Sequence, residues 1–154
     1  MPQEQPLASS LPTAEAVAAA VVVAFDPGRR IGVAWVDAEG RRLHGTIIDV
    51  GALDAVAVPA AARVVVGDGT GCRALAAELA ARGWRAERVD EVGTSERARA
   101  LYWRDHGARG VGRLVPLGMR TPPRPIDDYA AYAIALRALS LTPEEPQRAR
   151  AHRR

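Results

Sequence analysis

The sequence predicts an α/β domain on a mixed five-stranded sheet, with three antiparallel meander strands, two parallel strands and helices on both faces. Three observations lead there. Apolar runs at 21–26, 30–37 and 43–50 are separated only by turn signals, Asp26-Pro27-Gly28 and "DAEG" at 37–40, so the first three strands pair as hairpins. From Arg63 onward short apolar runs alternate with helical stretches, as in parallel strands joined by helices. The first run, "VVVAF", is apolar throughout, which suits a central strand buried on both faces.

Each element has its own local signal. Residues 1–16 are polar and proline-containing at the start and are expected to form a disordered tail before a folded domain at 17–142. The strands at 21–26 and 30–37 flank the Pro-Gly turn. The third, 43–50, alternates only partly. At 53–62 the period changes to a short helical segment interrupted at Pro59. "RVVVGD", 63–68, reads as a fourth, buried strand. "GTGCRALAAELAARG", 69–83, reads as a helix with Thr70 as N-cap, Leu75 and Leu79 four apart, and Gly83 at its C-terminal end.

"WRAERVDE", 84–91, is a fifth strand that ends in the charged tip Asp90-Glu91. Thr94 or Ser95 then caps a helix, "SERARALYWRDHG", with Leu101 and Tyr102 on its apolar side and Arg97 and Arg104 together on another. Residues 107–125, rich in Gly, Pro and Arg, read as a loop. "IDDYAAYAIALRALSL", 126–141, is the last helix, with small residues on most faces. Residues 143–154 form a basic tail.

At 154 residues the chain suits one domain with a real core. Alanine dominates its 48% apolar fraction and aromatics make up only 5%, so the core must rest on Val, Leu, Ile and close Ala contacts. The lone Cys72 excludes a disulfide framework and a cysteine zinc site. His44, His106 and His152 show no metal-ligand spacing. No apolar run approaches the ~20 residues of a membrane helix. Acidic rather than basic residues precede the first apolar stretch, unlike a signal peptide, so a cytoplasmic protein without membrane association is expected.

All 21 basic residues are arginine, and the net charge is +3. Positive charge gathers late in the chain. Between Val92 and Ile126 seven arginines stand against Glu96 and Asp105, a net +5. The last twelve residues add a net +2, which leaves −4 for the remainder. Such a distribution often marks a phosphate-backbone partner, although solvated arginine helices are common too.

Three acidic spots stand apart from this background. Asp26 tips the first strand, Glu91 tips the fifth, and Asp127-Asp128 opens the last helix. In the expected sheet the carboxyl ends of strands one, four and five share one rim, and ligands of open α/β sheets bind in the crevice outside such ends. Clustered carboxylates repel unless a cation intervenes, and hard oxygen donors suit Mg²⁺ or Mn²⁺. Taken singly, each acid also has an ordinary reading. Asp-Pro-Gly is a common turn tripeptide, acids are favoured at helix N-termini, and Glu91 is an unremarkable strand end.

These segments resemble a known family. "VVVAFDPGRRIGVAWVD" resembles the first hairpin of the RuvC-like branch of the ribonuclease H fold, with Asp-x-Gly ending strand one and a second Gly soon after. "VDEVGTSERARALY" resembles the Asp-Glu-x-x-Thr-Ser/Thr-x-x-Ala segment of the YqgF proteins, bacterial Holliday junction resolvases also implicated in pre-16S rRNA processing. "IDDYAAYAIAL" is similar to their closing Asp-x-Ala-Ala/Ser-Ala helix. The resemblance spans about 21–139.

That resemblance implies a ribonuclease H-like fold and a catalytic metal site for Mg²⁺ or Mn²⁺. Its ligands would be Asp26, Glu91 and Asp128, with Asp127 the rival for the third position. Gly28 and Gly32 would allow close backbone approach. Gly28, Arg29, Arg30, Thr94, Ser95, Arg97 and Arg104 would meet the nucleic-acid backbone. The chain departs from the family at "GDGTG", 67–71, where a Gly-Leu-Pro-type segment is usual; Asp68 there is an extra acid that could join the cluster.

The leading expectation is a metal-dependent nuclease on a DNA junction or structured RNA, working by two-metal-type hydrolysis. The second is a non-catalytic nucleic-acid-binding or ribosome-assembly factor on the same fold. A third, a phosphotransferase of the actin-like kind, is weakened because Arg29-Arg30 stand where those proteins carry a phosphate-binding Thr or Ser. A homodimer is compatible with resolvase chemistry, but no exposed apolar stripe specifies an interface.

Overall fold

A computed structural model describes residues 11–107, 114–116 and 119–140. Helix α1 (Ala14–Ala19) leads into strand β1 (Val22–Asp26), followed by β2 (Ile31–Val36) and β3 (Arg42–Ile48). A 3-10 helix (Val50–Ala55), β4 (Arg63–Gly67), α2 (Cys72–Ala81) and β5 (Ala86–Val89) come next, then α3 (Thr94–His106) and α4 (Asp127–Ser140). The sheet order is β3-β2-β1-β4-β5. Strands β1, β2 and β3 pair antiparallel, while β1, β4 and β5 run parallel. This is the mixed sheet that the turn signals and the change of period predict.

Alternation along the strands builds two cores. Val22, Ala24, Ala34, Val36 and Val65 face α3 and α4. Val23, Phe25, Val33, Trp35, Val64 and Val66 face the other way, onto Leu53, Leu75 and Leu79. Strand β1 is fully buried from Val22 to Phe25, as a central strand must be. Helix α4 lies across all five strands. Its Ala131, Ala133, Ala135 and Ala138 are buried, so the small residues serve close packing of the helix on the sheet. Tyr132 ties its far side to the β2–β3 turn, where its hydroxyl donates to the Gly40 carbonyl at 2.6 Å. Truncating a fully buried side chain such as Leu79 or Ile134 to alanine should cost about 2–5 kcal/mol.

Several local expectations need correction. Residues 14–19 are helical with Thr13 as N-cap, whose hydroxyl oxygen accepts from the Ala16 amide at 3.1 Å, so ordered structure starts within the expected tail. The rest of that tail, residues 1–10, lies outside the described residues, as do the basic tail at 143–154 and loop residues 108–113. The helical segment expected at 53–62 is a 3-10 helix placed earlier, and it ends four residues before Pro59. Thr70 does not cap α2; Gly71, at φ 90, takes that position. Neither Thr94 nor Ser95 caps α3, because Gly93 at φ 77 precedes it and Thr94 is its first residue. In both cases a glycine in the left-handed region turns the chain sharply from a strand end into a helix. No helix among the described residues is long and apolar enough to cross a membrane.

Candidate active site

Strands β1, β4 and β5 are parallel, so their carboxyl ends share one rim. Asp26 closes β1 there, and its register partner on β2 is Gly32. Glu91 follows β5, and α3 begins three residues later. Asp127 is the first residue of α4. Three acids from distant parts of the chain thus stand at or just past the ends of their elements, and the charges of Glu91 and Asp127 both act on Asp26.

The Asp26 and Glu91 carboxyls lie close enough for each to act on the other. Burial, the Glu91 charge and then the Asp127 charge push the Asp26 carboxyl up to about 7 from an ordinary 3.8. Glu91 is raised as well, chiefly by burial, while the Gly69 amide that hydrogen-bonds it opposes the rise. Asp127 is raised by burial and by its neighbour Asp128, and the Arg30 guanidinium counters this. Glu91 Oε1 is buried and meets no donor. Each of these is the signature of negative charge packed without enough compensation.

Two glycines make room for Glu91. A Cβ on Gly67 or on Gly69 would overlap its carboxylate. The "GDGTG" segment is therefore the bed on which Glu91 lies. Asp68, between them, turns away from the cluster: its Oδ1 accepts the Glu91 main-chain amide at 3.1 Å and so fixes the chain at that point. Asp68 still adds negative charge beside Glu91. The roles of Gly67 and Gly69 were legible only as a run of glycines, since the side chain they accommodate lies more than twenty residues away.

The donors gathered at this rim are all carboxylate oxygens. The half-buried Asp26 and Glu91 carboxylates, the second with its buried Oε1 unpartnered, and a neighbouring third carboxylate suit a hard ion. Among the described residues no three His, Cys, Asp or Glu side chains already stand close enough to enclose one. Asp26 and Glu91 form the close pair, with Asp127 beside them.

No family model matches the sequence, and no curated protein matches it. Among solved structures, the chain is similar to T. thermophilus RuvC, solved in complex with a Holliday junction substrate. Identity is 18%, the match covers 76% of this chain and 91% of that chain, and the TM-score is 0.40.

Asp128, preferred over Asp127 on sequence, points elsewhere. It is only 3% exposed, and both of its oxygens are taken by arginines. Arg42 reaches Oδ2 at 2.8 Å, and Arg124 spans Oδ1 at 3.0 Å and Oδ2 at 3.2 Å. A carboxylate held this way is already compensated by two guanidinium groups. The acid whose charge acts on Asp26 is Asp127. Adjacent positions on a helix differ by about 100° in direction, so the choice turns on the rotation of α4, which sequence does not display.

The remaining expected contact residues divide into two sets. Arg29, Arg30, Ser95 and Arg97 are exposed around the rim. Thr94 is buried, and its hydroxyl donates to the Glu91 carbonyl at 2.7 Å, so it holds the β5–α3 turn. Arg104 is engaged by Asp105 at 3.0 Å and by the Tyr132 hydroxyl at 3.5 Å. At Gly28 a Cβ would come within 3.1 Å of the Arg30 carbonyl, so the tight turn itself favours glycine there.

Proposed function

We propose that this protein is a divalent-metal-dependent nuclease of the YqgF kind, hydrolysing phosphodiesters of a DNA junction or structured RNA. One observation carries the reading: glycines at the sheet rim bring the Glu91 carboxylate onto the end of β4 and the start of α4, with Asp127, onto Gly32, the register partner of Asp26. Carboxylates gathered at one rim repel one another unless a cation stands between them. The sequence resemblance over 21–139 agrees with that placement.

Asp26 and Glu91 would hold Mg²⁺ or Mn²⁺, with Asp127 as the third carboxylate. When bound, the ion lowers the pKa of a water and neutralises charge on the phosphate. Side chains of this chain do the rest. Arg29, Arg30 and Arg97 bind the phosphate backbone without reading sequence. Gly28 lets the backbone turn close to the phosphate. Asp68 and Thr94 hold the main chain of Glu91, and Gly67 and Gly69 let its carboxylate lie flat on the end of β4. Arg104, tied to Asp105, would contribute less to the backbone than its charge suggests.

The test is a nuclease panel of four-way junction, duplex, single strand and RNA with Mg²⁺ or Mn²⁺, on wild type and Asp26→Asn. The expected result is metal-dependent cleavage of at least one substrate, abolished by Asp26→Asn with nucleic-acid binding retained. Binding without cleavage under every metal condition would leave the second reading, a non-catalytic assembly or binding factor.

A further inference from the structure

We infer that Arg42, Asp128 and Arg124 form a clamp that positions Asp127; the inference rests on the metal-nuclease reading above. The three residues come from β3, from the first turn of α4 and from the segment just before α4. Asp128 is nearly sealed from solvent, yet it holds one contact with Arg42 and two with Arg124. Arg42 reaches it by crossing its own strand at Gly45, where any Cβ would overlap the guanidinium. The Arg42 guanidinium lies 4.6 Å from the Tyr129 ring centre. That of Arg124 lies 5.8 Å from Tyr129 and 5.4 Å from Tyr102 of α3. Tyr129 in turn donates its hydroxyl to Asp105 of α3 at 2.9 Å.

The start of α4 is thus fixed from three directions: the edge strand β3, the incoming chain and helix α3. An acid in a first helical turn needs no arginine partner, since the helix dipole already favours it. A buried ion pair is also a poor means of gaining stability compared with apolar packing of the same volume. What the clamp does supply is orientation. Asp127 sits one residue earlier on the same turn, so any rotation of that turn swings it away from Asp26. Arg42 and Arg124 are positioning residues: they touch neither substrate nor ion and act through Asp128.

The test is Mn²⁺ titration of the full chain without nucleic acid, followed by electron paramagnetic resonance. The variants are Arg124→Ala, Arg124→Lys, Asp128→Asn and, as a control, Asp37→Asn. Asp37 is a buried acid paired with Arg41 at 2.8 Å at the other end of β2. The expected result is Mn²⁺ affinity weaker by about 10-fold or more in Arg124→Ala and Asp128→Asn, as for residues that orient metal ligands. Arg124→Lys should recover it only in part, because an ammonium cannot span both oxygens. Asp37→Asn should lower Tm and leave Mn²⁺ affinity unchanged. If Asp128→Asn does not fold, Arg124→Ala carries the test, since Arg42 still pairs Asp128. Unchanged affinity in the clamp variants, or an equal loss in Asp37→Asn, overturns the clamp alone. Absence of Mn²⁺ binding by wild type overturns the metal reading and the clamp with it.

Discussion

Gly32 on β2 faces the main-chain carbonyl of Asp127, and a Cβ at Gly32 would overlap that carbonyl. Since Gly32 is also the register partner of Asp26, one missing side chain lets the first turn of α4 settle beside the tip of β1. Gly32→Ala must push that backbone away. The expected cost is about 1–3 kcal/mol, the range for inserting a methyl into a packed site. Because backbone rather than a flexible side chain has to move, Mn²⁺ affinity should fall as well. A urea midpoint and a Mn²⁺ titration on the same sample check both, and wild-type values for either would contradict the account.

Gly69→Ala should separate site from fold. Gly69 is not in the left-handed region, so alanine fits its backbone, and the obstacle is the end of the Glu91 side chain. That end can swing aside at small cost, so stability should stay within about 0.5 kcal/mol of wild type. Cleavage and Mn²⁺ binding should nevertheless drop steeply, because Glu91 no longer lies on β4. Unaltered cleavage by Gly69→Ala would show that the Glu91 pose is irrelevant.

Stability of the metal-free protein should depend on pH through Asp26. Its folded pKa of about 7 stands above the ordinary 3.8, so the folded state holds the proton more tightly. The associated stabilisation is complete below about pH 4 and is lost as pH rises through 7. Asp26→Asn removes the ionisation. Its Tm should therefore exceed that of wild type by an increasing margin from pH 5 to pH 8 without metal. Parallel Tm curves for the two proteins would rule out a raised Asp26.

Arg29 and Arg97 should each contribute one phosphate contact. Both are exposed. Replacing either with alanine should weaken binding across all sequences and reduce the log–log salt slope by about 1. Arg124→Ala should change that slope little, because its charge is engaged by Asp128. Fluorescence anisotropy with a labelled junction at several salt concentrations measures all three.

Much of this architecture was legible before any coordinates. The turn signals at Pro27-Gly28 and 37–40 placed the meander, and the later change of period placed the parallel strands. Asp26 stood out because it ends an apolar run, where nothing structural calls for a charge, whereas Glu91 ends a strand already rich in charge and gained meaning only beside Asp26 and Asp127. Three features were not legible, and each is a long-range relationship. Asp127 and Asp128 are indistinguishable along the chain and differ only in which way the helix is turned. Arg42 carries no local signal of its partner, 86 positions away. The glycines at 67 and 69 read as a departure from the family pattern along the chain, and only the fold shows Glu91 lying on them. The helix caps differ from the sequence expectation for a simpler reason: Thr70 and Thr94 have good capping chemistry, but the sharp turns into α2 and α3 place Gly71 and Gly93 there instead.

The central claim is that Asp26, Glu91 and Asp127 together hold a divalent cation. Isothermal titration calorimetry with Mn²⁺ on wild type, Asp26→Asn, Glu91→Gln and Asp127→Asn addresses it directly. The account predicts saturable binding by wild type that each of the three amide variants weakens by at least tenfold. Heat of binding absent from wild type, or preserved in all three variants, would contradict it.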